Sequence, residues 1–326
     1  MPMLEIMAYL KAQPTGKYRR MLWYLYEKFN GKKLPLLDLN QGSYVPLLNP
    51  KDYYCSKAIR SSRHRIADNL LRNVNFAPIV RRTFLLESYE KKQIEKVAQA
   101  LTSQYDSGLI ARAMRYLYTK ETMSSWEIER EKPDQARLAK FVNLLHKVDS
   151  IGFLSEEMLI NLQKNIIDLR FALHSYRDFQ NYVGEEPSLS RLIVHYIAPK
   201  PENVKDLMNE LIHSFEKIEK AHIDPVISAS ILSFLFVYIH PFEDGNGRIH
   251  RFLIHYVLLR LKFTPEGMVF PVSAAILKNT AQYDKVLESF SRPLMELITD
   301  YSVNEMEEMK VLQDTQDFYR YIDITD

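Results

Sequence analysis

The strongest constraint on the fold is a twelve-residue polar segment, HPFEDGNGRIHR at residues 240–251, which separates two apolar stretches. SASILSFLFVYI precedes it and RFLIHYVLLRLKF contains its end, and in both the apolar residues recur near helical spacing. Gly245 and Gly247 lie between them, where a chain that leaves one helix and enters another needs unusual backbone angles. The sequence therefore predicts a helix–loop–helix unit, with residues 246–248 at the start of the second helix.

The loop has the composition of an anion site. The first residues of a helix present unpaired N–H groups and the positive end of the helix dipole, and successive amides in a glycine turn form a nest for anions. Arg248 and Arg251 are three residues apart, so both should lie on the first turn of the second helix. Guanidinium groups bind phosphate oxygens through two parallel hydrogen bonds. These features indicate a phosphate-binding loop.

Two further side chains suit phosphate chemistry. Asp244 is a hard oxygen ligand next to the predicted nest, which suits Mg²⁺ that bridges phosphates. His240 has an ordinary pKa near neutrality and is a candidate base for an incoming hydroxyl group. Phe242 is expected to point inward and fix the loop to the core. Singly, each residue is more typical of an ordinary turn or a solvated helix face, and their combination at this spacing favours a site.

Taken whole, the segment resembles the signature of the Fic family, HxFx[D/E]GNGRxxR, at every specified position. Fic enzymes transfer AMP from ATP to a Ser, Thr or Tyr hydroxyl of a protein, with Mg²⁺ bound to the nucleotide. The resemblance implies a mainly α fold, a Fic-type helical core with a small β-hairpin flap. It also implies a role for each residue of the motif: His240 as base, Asp244 as metal ligand, Gly245, Asn246 and Gly247 as anion hole, Arg248 as phosphate contact and Arg251 as γ-phosphate contact.

An acidic segment upstream, TKETMSSWEIEREKP at residues 119–133, is by itself typical of an exposed helix. Many Fic proteins carry an inhibitory helix with the pattern [S/T]xxxE[G/N], and Ser125 and Glu129 resemble its first two fixed positions. Arg130 stands where Gly or Asn is usual, so the match is partial. The resemblance implies a salt bridge between Glu129 and Arg251 at the site of the γ-phosphate. Glu127 and Glu131 are the alternative inhibitory residues.

The stretch at residues 181–199 is the candidate flap. RLIVHYIA has the β-branched and aromatic content of a strand. Asn181, Tyr182 and Gly184 resemble the family's Asn-aromatic-x-Gly turn, and the flap of Fic proteins binds the target by strand addition. A simple surface hairpin explains the pattern equally well. Farther along, Tyr283 is a possible adenine contact, although a tyrosine of the core is the favoured interpretation.

Composition narrows the class of protein. The 326 residues include 46% hydrophobic and 26% charged residues, as in globular proteins. With 43 basic and 41 acidic residues the net charge is +2, which gives no reason to expect a nucleic acid or a membrane as partner. Cys55 is the single cysteine and fits a reducing compartment. The start of the sequence lacks the pattern of a secretory signal, so we expect a cytoplasmic protein, and the family's distribution suggests a bacterial one.

Three parts are expected along the chain: an N-terminal helical lobe at residues 1–105, a Fic core at 106–296, and a C-terminal hairpin and tail at 297–326. The partner implied by the resemblance is a target protein with an exposed hydroxyl group, and family members often form homodimers. Three classes of function stay open: an autoinhibited AMP transferase, an enzyme of the same fold that transfers another nucleotide or removes AMP, and a regulatory module that only senses nucleotide.

Overall fold

The computed structural model describes residues 3–148, 152–185, 192–265 and 267–326. Helices dominate it, which confirms the predicted mainly α fold. The helices are α1 (Met3–Ala12), α2 (Lys17–Asn30), α3 (Phe84–Glu90), α4 (Ile94–Gln104), α5 (Ser107–Ile128), α6 (Gln135–His146), α7 (Glu156–Ile166), α8 (Pro201–Lys220), α9 (Pro225–Ile239), α10 (Asn246–Arg260), α11 (Val272–Lys278) and α12 (Thr280–Leu297). The strands are β1 (Val45–Pro46), β2 (Ile59–Ser61), β3 (Ile66–Asp68), β4 (Ala77–Ile79), β5 (Tyr182–Glu185), β6 (Ile193–Ile197), β7 (Tyr301–Val303), β8 (Met309–Val311) and β9 (Tyr321–Asp323).

The helix pair α9–α10 forms the centre of the main core. Leu235 and Phe236 of α9 and Phe252 and Leu253 of α10 are fully buried. Burial of one such side chain contributes roughly 1.5–3 kcal/mol, so this pair gives the loop between its helices a rigid base. Helix α9 begins sharply because the Asp224 side chain accepts hydrogen bonds from the first backbone N–H groups, and α5, α7 and α8 pack around the pair.

Short strands lie in the N-terminal part, where the sequence predicted a helical lobe with a loop-rich stretch at residues 34–54. Strand β3 pairs parallel with β1 and antiparallel with β2. Strand β4 pairs in parallel with β9 near the C-terminus, in the register Ala77↔Tyr321 to Ile79↔Asp323. Runs of two or three residues are too short to show alternation, so periodicity could not reveal them. The β4–β9 pair therefore joins the N-terminal part of the chain to its C-terminal tail.

Two antiparallel hairpins complete the fold. Strands β5 and β6 pair with a register shift between Val183 and Gly184. A Cβ atom on Gly184 would lie 2.7 Å from the carbonyl oxygen of Ile193, so only glycine fits this bulge. Residues 186–191 of the predicted flap lie outside the described residues. Strands β7 and β8 form the hairpin that follows α12. Among the described helices, none combines the length and apolar character needed to cross a membrane.

Candidate active site

The loop at residues 240–245 connects α9 to α10 through two left-handed residues. His240 ends α9 with φ +52°, and Gly245 precedes α10 with φ +89°. A Cβ atom on Gly245 would lie 2.7 Å from Cγ2 of Ile167, so the position requires glycine for both its backbone angle and its packing. The predicted helix–loop–helix is therefore present, and the start of α10 faces the loop.

Side-chain amides hold the loop in shape. Asn246 accepts a hydrogen bond from the Phe242 backbone N–H at 3.1 Å and donates one to the Phe242 carbonyl at 2.8 Å. Asn181 of the flap donates to the same carbonyl at 3.0 Å. Phe242 itself is fully buried, as expected from the sequence. The Asn246 side chain thus holds the loop in shape. The predicted contact of this residue with phosphate would therefore be made by its backbone N–H.

His240 is held as a neutral imidazole with one free nitrogen. Its Nδ1 lies 3.2 Å from the carbonyl oxygen of Val237, which can only accept, so Nδ1 carries the proton and Nε2 keeps its lone pair. Burial, together with the nearby Arg177 cation, lowers the pKa of His240 to about 4. At neutral pH this side chain is therefore ready to accept a proton at Nε2.

Arg177, which the sequence patterns did not single out, links the flap to the loop through hydrogen bonds. Its guanidinium donates to the carbonyl oxygens of His240 at 2.8 Å and Pro199 at 2.6 Å. Its backbone N–H donates to the carbonyl of Pro241 at 2.9 Å. The side chain is buried with carbonyl rather than carboxylate partners, and burial lowers its pKa to about 10. The position of His240 relative to the flap depends on this residue.

Arg251 is hydrogen-bonded to the end of α5. Its Nε donates to the Ser125 hydroxyl at 2.8 Å, and one terminal nitrogen donates both to the Ser125 carbonyl at 2.8 Å and to Glu129 at 2.7 Å. Glu129 also lies against the start of α10. The contact is so close that a Cβ atom on Gly247 would overlap Oε1 of Glu129. The Glu129 carboxylate therefore lies against Gly247, at the start of α10 where the sequence predicts an anion nest.

Arg248 is buried between two carboxylates. One terminal nitrogen donates to Asp244 at 2.6 Å, and the other donates to Glu131 at 3.0 Å. The guanidinium carbon also lies 5.5 Å from the centre of the Trp126 ring. Residues 125–131 therefore contact both arginines of the motif, whereas the sequence had offered Glu129 and Glu131 as alternatives.

A third contact joins α5 to α10 one turn beyond Arg251. Glu121 accepts a hydrogen bond from Nε2 of His255 at 2.8 Å and one from the backbone N–H of Ser273 at 2.8 Å, and all three residues are buried. Burial alone raises the pKa of Glu121, but the His255 charge and these hydrogen bonds outweigh it and lower that pKa. The four-residue spacing of Glu121, Ser125 and Glu129 matches that of Arg251 and His255, and this signal could have revealed the contact.

Asp244 is the residue that fits a magnesium ion. Its Oδ1 accepts hydrogen bonds from Arg248 and from the Gly245 N–H, and its side chain is 41% exposed. Within the described residues no group of three or more acidic, histidine or cysteine side chains could hold a metal ion unaided. Mg²⁺ that arrives with a polyphosphate needs only one or two protein carboxylates, so this single aspartate is sufficient.

A cavity of about 310 Å³ adjoins His240 on the side of the flap. Val183 and Tyr196 of the hairpin, together with Asp284 of α12, contribute to its walls. Tyr283 does not line it and packs instead beside Phe234 and His250. A larger cleft of about 940 Å³ lies along α7, away from the loop, and contains none of the motif residues.

Comparison with known proteins identifies the family. Residues 153–258, which include α7, the flap, α9 and the whole loop, match the model described as Fic/DOC family. These residues are the part of the chain that matches a Fic domain. The chain is 28% identical over 130 residues to the protein adenylyltransferase Fic of Nematostella vectensis, covering 39% of this chain and 27% of the relative. It is 25% identical over 203 residues to the protein adenylyltransferase Fic of Aedes aegypti, covering 56% of this chain and 41% of the relative.

Solved structures of Fic proteins are also similar to this chain. A Fic domain containing signaling protein from Bacteroides thetaiotaomicron has a TM-score of 0.47 and 19% identity, over 61% of this chain and 81% of that one. A fragment of Fic-1 from Caenorhabditis elegans has a TM-score of 0.45 and 17% identity, over 62% and 66%. The chain spans less than half the length of the two curated relatives that it matches.

Proposed function

We propose that this chain is a protein adenylyltransferase that transfers AMP from ATP to a hydroxyl group of a target protein and is autoinhibited by Glu129. The observation that carries the proposal is the position of the Glu129 carboxylate, against Arg251 and over Gly247. A carboxylate and a phosphate oxygen need the same partners, namely guanidinium and backbone N–H groups at a helix start. Glu129 thus acts as an internal substitute for the γ-phosphate.

The chemistry follows from the order of the groups around the loop. With the γ-phosphate on Arg251 and Arg248 on the phosphates, the α-phosphate would lie near His240 in this proposal. The target oxygen forms a bond to the α-phosphorus, the bond from this phosphorus to the bridging oxygen breaks, and pyrophosphate leaves. Nε2 of His240 takes the proton of the hydroxyl. Positioning and electrostatics supply most of the catalysis in such transfers. Mg²⁺, when bound by Asp244 and the phosphates, neutralises charge on the leaving group.

The hairpin β5–β6 is the proposed docking site for the target. Strand addition along its edge provides main-chain hydrogen bonds without demanding one particular sequence. Arg177 and Asn181 link this hairpin to the loop that carries His240, so a peptide bound there would present its side chain to the base. The relatives are named protein adenylyltransferases, which supports the same reaction class for this domain.

The test is transfer of label from ATP labelled at the α-phosphate. Wild type, Glu129→Gly and the double variant Glu129→Gly with His240→Ala would be incubated with Mg²⁺, and self-modification would be measured. Glu129→Gly should raise incorporation at least tenfold, and adding His240→Ala should lower it by about 10²–10⁴-fold, the range for loss of a general base. Binding without any incorporation by Glu129→Gly would exclude the transferase and favour a nucleotide sensor.

Parallel reactions address the other nucleotides. GTP and UTP labelled in the same way would be tested with Glu129→Gly, and incorporation from either above that from ATP would replace AMP by GMP or UMP in the proposal. Incubation of an AMP-modified sample with wild type tests the removal of AMP. Loss of label that requires Glu129 would assign the reverse role to this glutamate.

A further inference from the structure

Glu131 contacts the first arginine of the motif, Arg248, whereas Glu129 contacts the second, Arg251. Its Oε2 lies 3.0 Å from a terminal nitrogen of Arg248, and the Glu131 side chain is 43% exposed while that of Arg248 is 1% exposed. The other terminal nitrogen of Arg248 is bound to Asp244 at 2.6 Å. Both ends of this guanidinium fork are therefore already bound to carboxylates, and neither is free for phosphate oxygens.

The backbone explains how two glutamates two residues apart reach the same site. On a continuous helix, residues i and i+2 do not face each other. Here α5 ends at Ile128, Glu129 caps it, and Arg130 adopts the left-handed conformation with φ +56°. The Arg130 N–H donates to the Glu127 carbonyl at 3.0 Å, and the Glu131 N–H donates to the Trp126 carbonyl at 3.1 Å. These two bonds define a Schellman motif, which turns the chain back on the helix end.

The Schellman motif also places Glu131 beside Trp126, since it brings together the residues at these two positions. Both contact Arg248, one through a salt bridge and one through its ring. The guanidinium groups of Arg248 and Arg251 contact the carboxylates of Asp244, Glu129 and Glu131, so these five groups together carry one excess negative charge. A polyanion such as a triphosphate is disfavoured in this state.

We propose that Glu131 is a second inhibitory residue, which competes with the nucleotide for Arg248 as Glu129 competes for Arg251. This inference rests on the proposed function and extends it, because Glu129 and Glu131 act together and neither is an alternative to the other. Displacement of the segment at residues 129–131 as a unit removes one carboxylate from each arginine. The groups that remain, Arg248, Arg251 and Asp244, then carry one excess positive charge, which favours a nucleotide triphosphate.

The experiment compares Glu131→Ala, Glu129→Gly and the double variant with wild type. Calorimetric titration with ATP and Mg²⁺ gives the dissociation constant, and label transfer gives the activity. Because the Glu131 contact is partly exposed, its removal should strengthen ATP binding roughly two- to fivefold, both in wild type and in the Glu129→Gly background. Glu127→Ala is the matched control, since this exposed residue lies on the same helix end and has no ion pair among those of the described residues.

The outcomes separate this inference from the proposed function. ATP binding that is unchanged by Glu131→Ala in both backgrounds, while Glu129→Gly binds and transfers, would overturn the role of Glu131 alone. The same holds if Glu127→Ala strengthens binding as much, because the effect would then be general charge removal. If no variant binds ATP although circular dichroism shows each to be folded, the proposed triphosphate site itself is wrong.

Discussion

Two carboxylates of helix α5 bind helix α10, and they differ in burial. Glu121 has a side chain that is 1% exposed and accepts hydrogen bonds from His255 and Ser273. Glu129, two turns farther along, is 35% exposed and contacts Arg251. Water can replace the partner of the second carboxylate but cannot reach the first. The same pair of helices therefore contains a permanent anchor at Glu121 and a replaceable contact at Glu129.

This difference has a physical consequence for regulation. The proposed inhibitory contact must be weak enough for a nucleotide to displace it, and a pair with one partly exposed partner, such as Glu129 with Arg251, is weaker than a fully buried pair. Helix α5 must nevertheless stay in place. The buried pair of Glu121 and His255 holds it there, because breaking this pair would leave an unpaired charge in the core. The anchor at Glu121 thus allows the end of α5 to move without the release of the whole helix.

The largest expected effect is that of breaking the anchor. Glu121→Ala leaves His255 without its carboxylate partner and should lower the free energy of unfolding by about 3–5 kcal/mol. Glu129→Ala should lower it by no more than about 1 kcal/mol. Urea denaturation of both variants and wild type measures the two values. Equal losses for the two variants would show that anchor and replaceable contact are not distinct.

A buried histidine of α10 that has no carboxylate partner among the described residues can be compared with His255, which has one. His250 lies on α10, about one turn before His255. Its Nδ1 is hydrogen-bonded to the Ser233 carbonyl at 2.7 Å, and no described residue bonds its Nε2. Burial lowers the pKa of His250 to about 4, below its ordinary value of 6.5. Between these values the unfolded chain binds the proton more readily, so stability falls as pH falls from 6.5 to 4.

The size of this pH effect is about 3 kcal/mol for His250. His250→Gln does not titrate, so its unfolding free energy should fall less steeply over the same pH range than that of wild type. Urea denaturation at several values of pH between 7 and 4 provides the comparison. Parallel curves for the two proteins would contradict the assignment of a neutral, buried His250.

Sequence patterns predicted the loop for local reasons, and the resemblance to the Fic family implied the contact of Glu129 with Arg251. Apolar flanks and two glycines indicate a turn between helices, and a pattern of fixed spacing linked Glu129 to Arg251. The contact of Glu131 with Arg248 was not predicted, because it depends on a left-handed Arg130 where Gly or Asn is usual. The β4–β9 pair was missed since it joins short segments far apart in sequence. The roles of His240, Asp244 and Tyr283 stay predictions.

Nucleotide binding offers a third way to compare the two contacts. In Glu129→Gly the nest and Arg251 are free, so ATP with Mg²⁺ at about 100 times its dissociation constant should stabilise this variant by about 2.7 kcal/mol. Wild type at the same ATP concentration should gain less, because the nucleotide must first displace Glu129. Thermal unfolding with and without ATP measures both. A larger gain in wild type would mean that Glu129 supports nucleotide binding.

The smallest expected effect concerns the turn between the two glutamates. A non-glycine residue in the left-handed region costs roughly 1–2 kcal/mol, while glycine loses more chain entropy on folding. Arg130→Gly should therefore raise the free energy of unfolding by about 0.5–1 kcal/mol and leave self-modification as low as in wild type. Urea denaturation and the label-transfer assay check this. A fall in stability would show that the Arg130 side chain contributes more than its backbone strain costs.

The most direct measurement of the central claim is a crystal structure of Glu129→Gly with Mg²⁺ and a non-hydrolysable ATP analogue. The account predicts the γ-phosphate on Arg251 and the glycine nest, with the α-phosphorus facing Nε2 of His240 and Mg²⁺ on Asp244. A triphosphate bound elsewhere, with Arg248 and Arg251 still turned toward α5, would contradict the account.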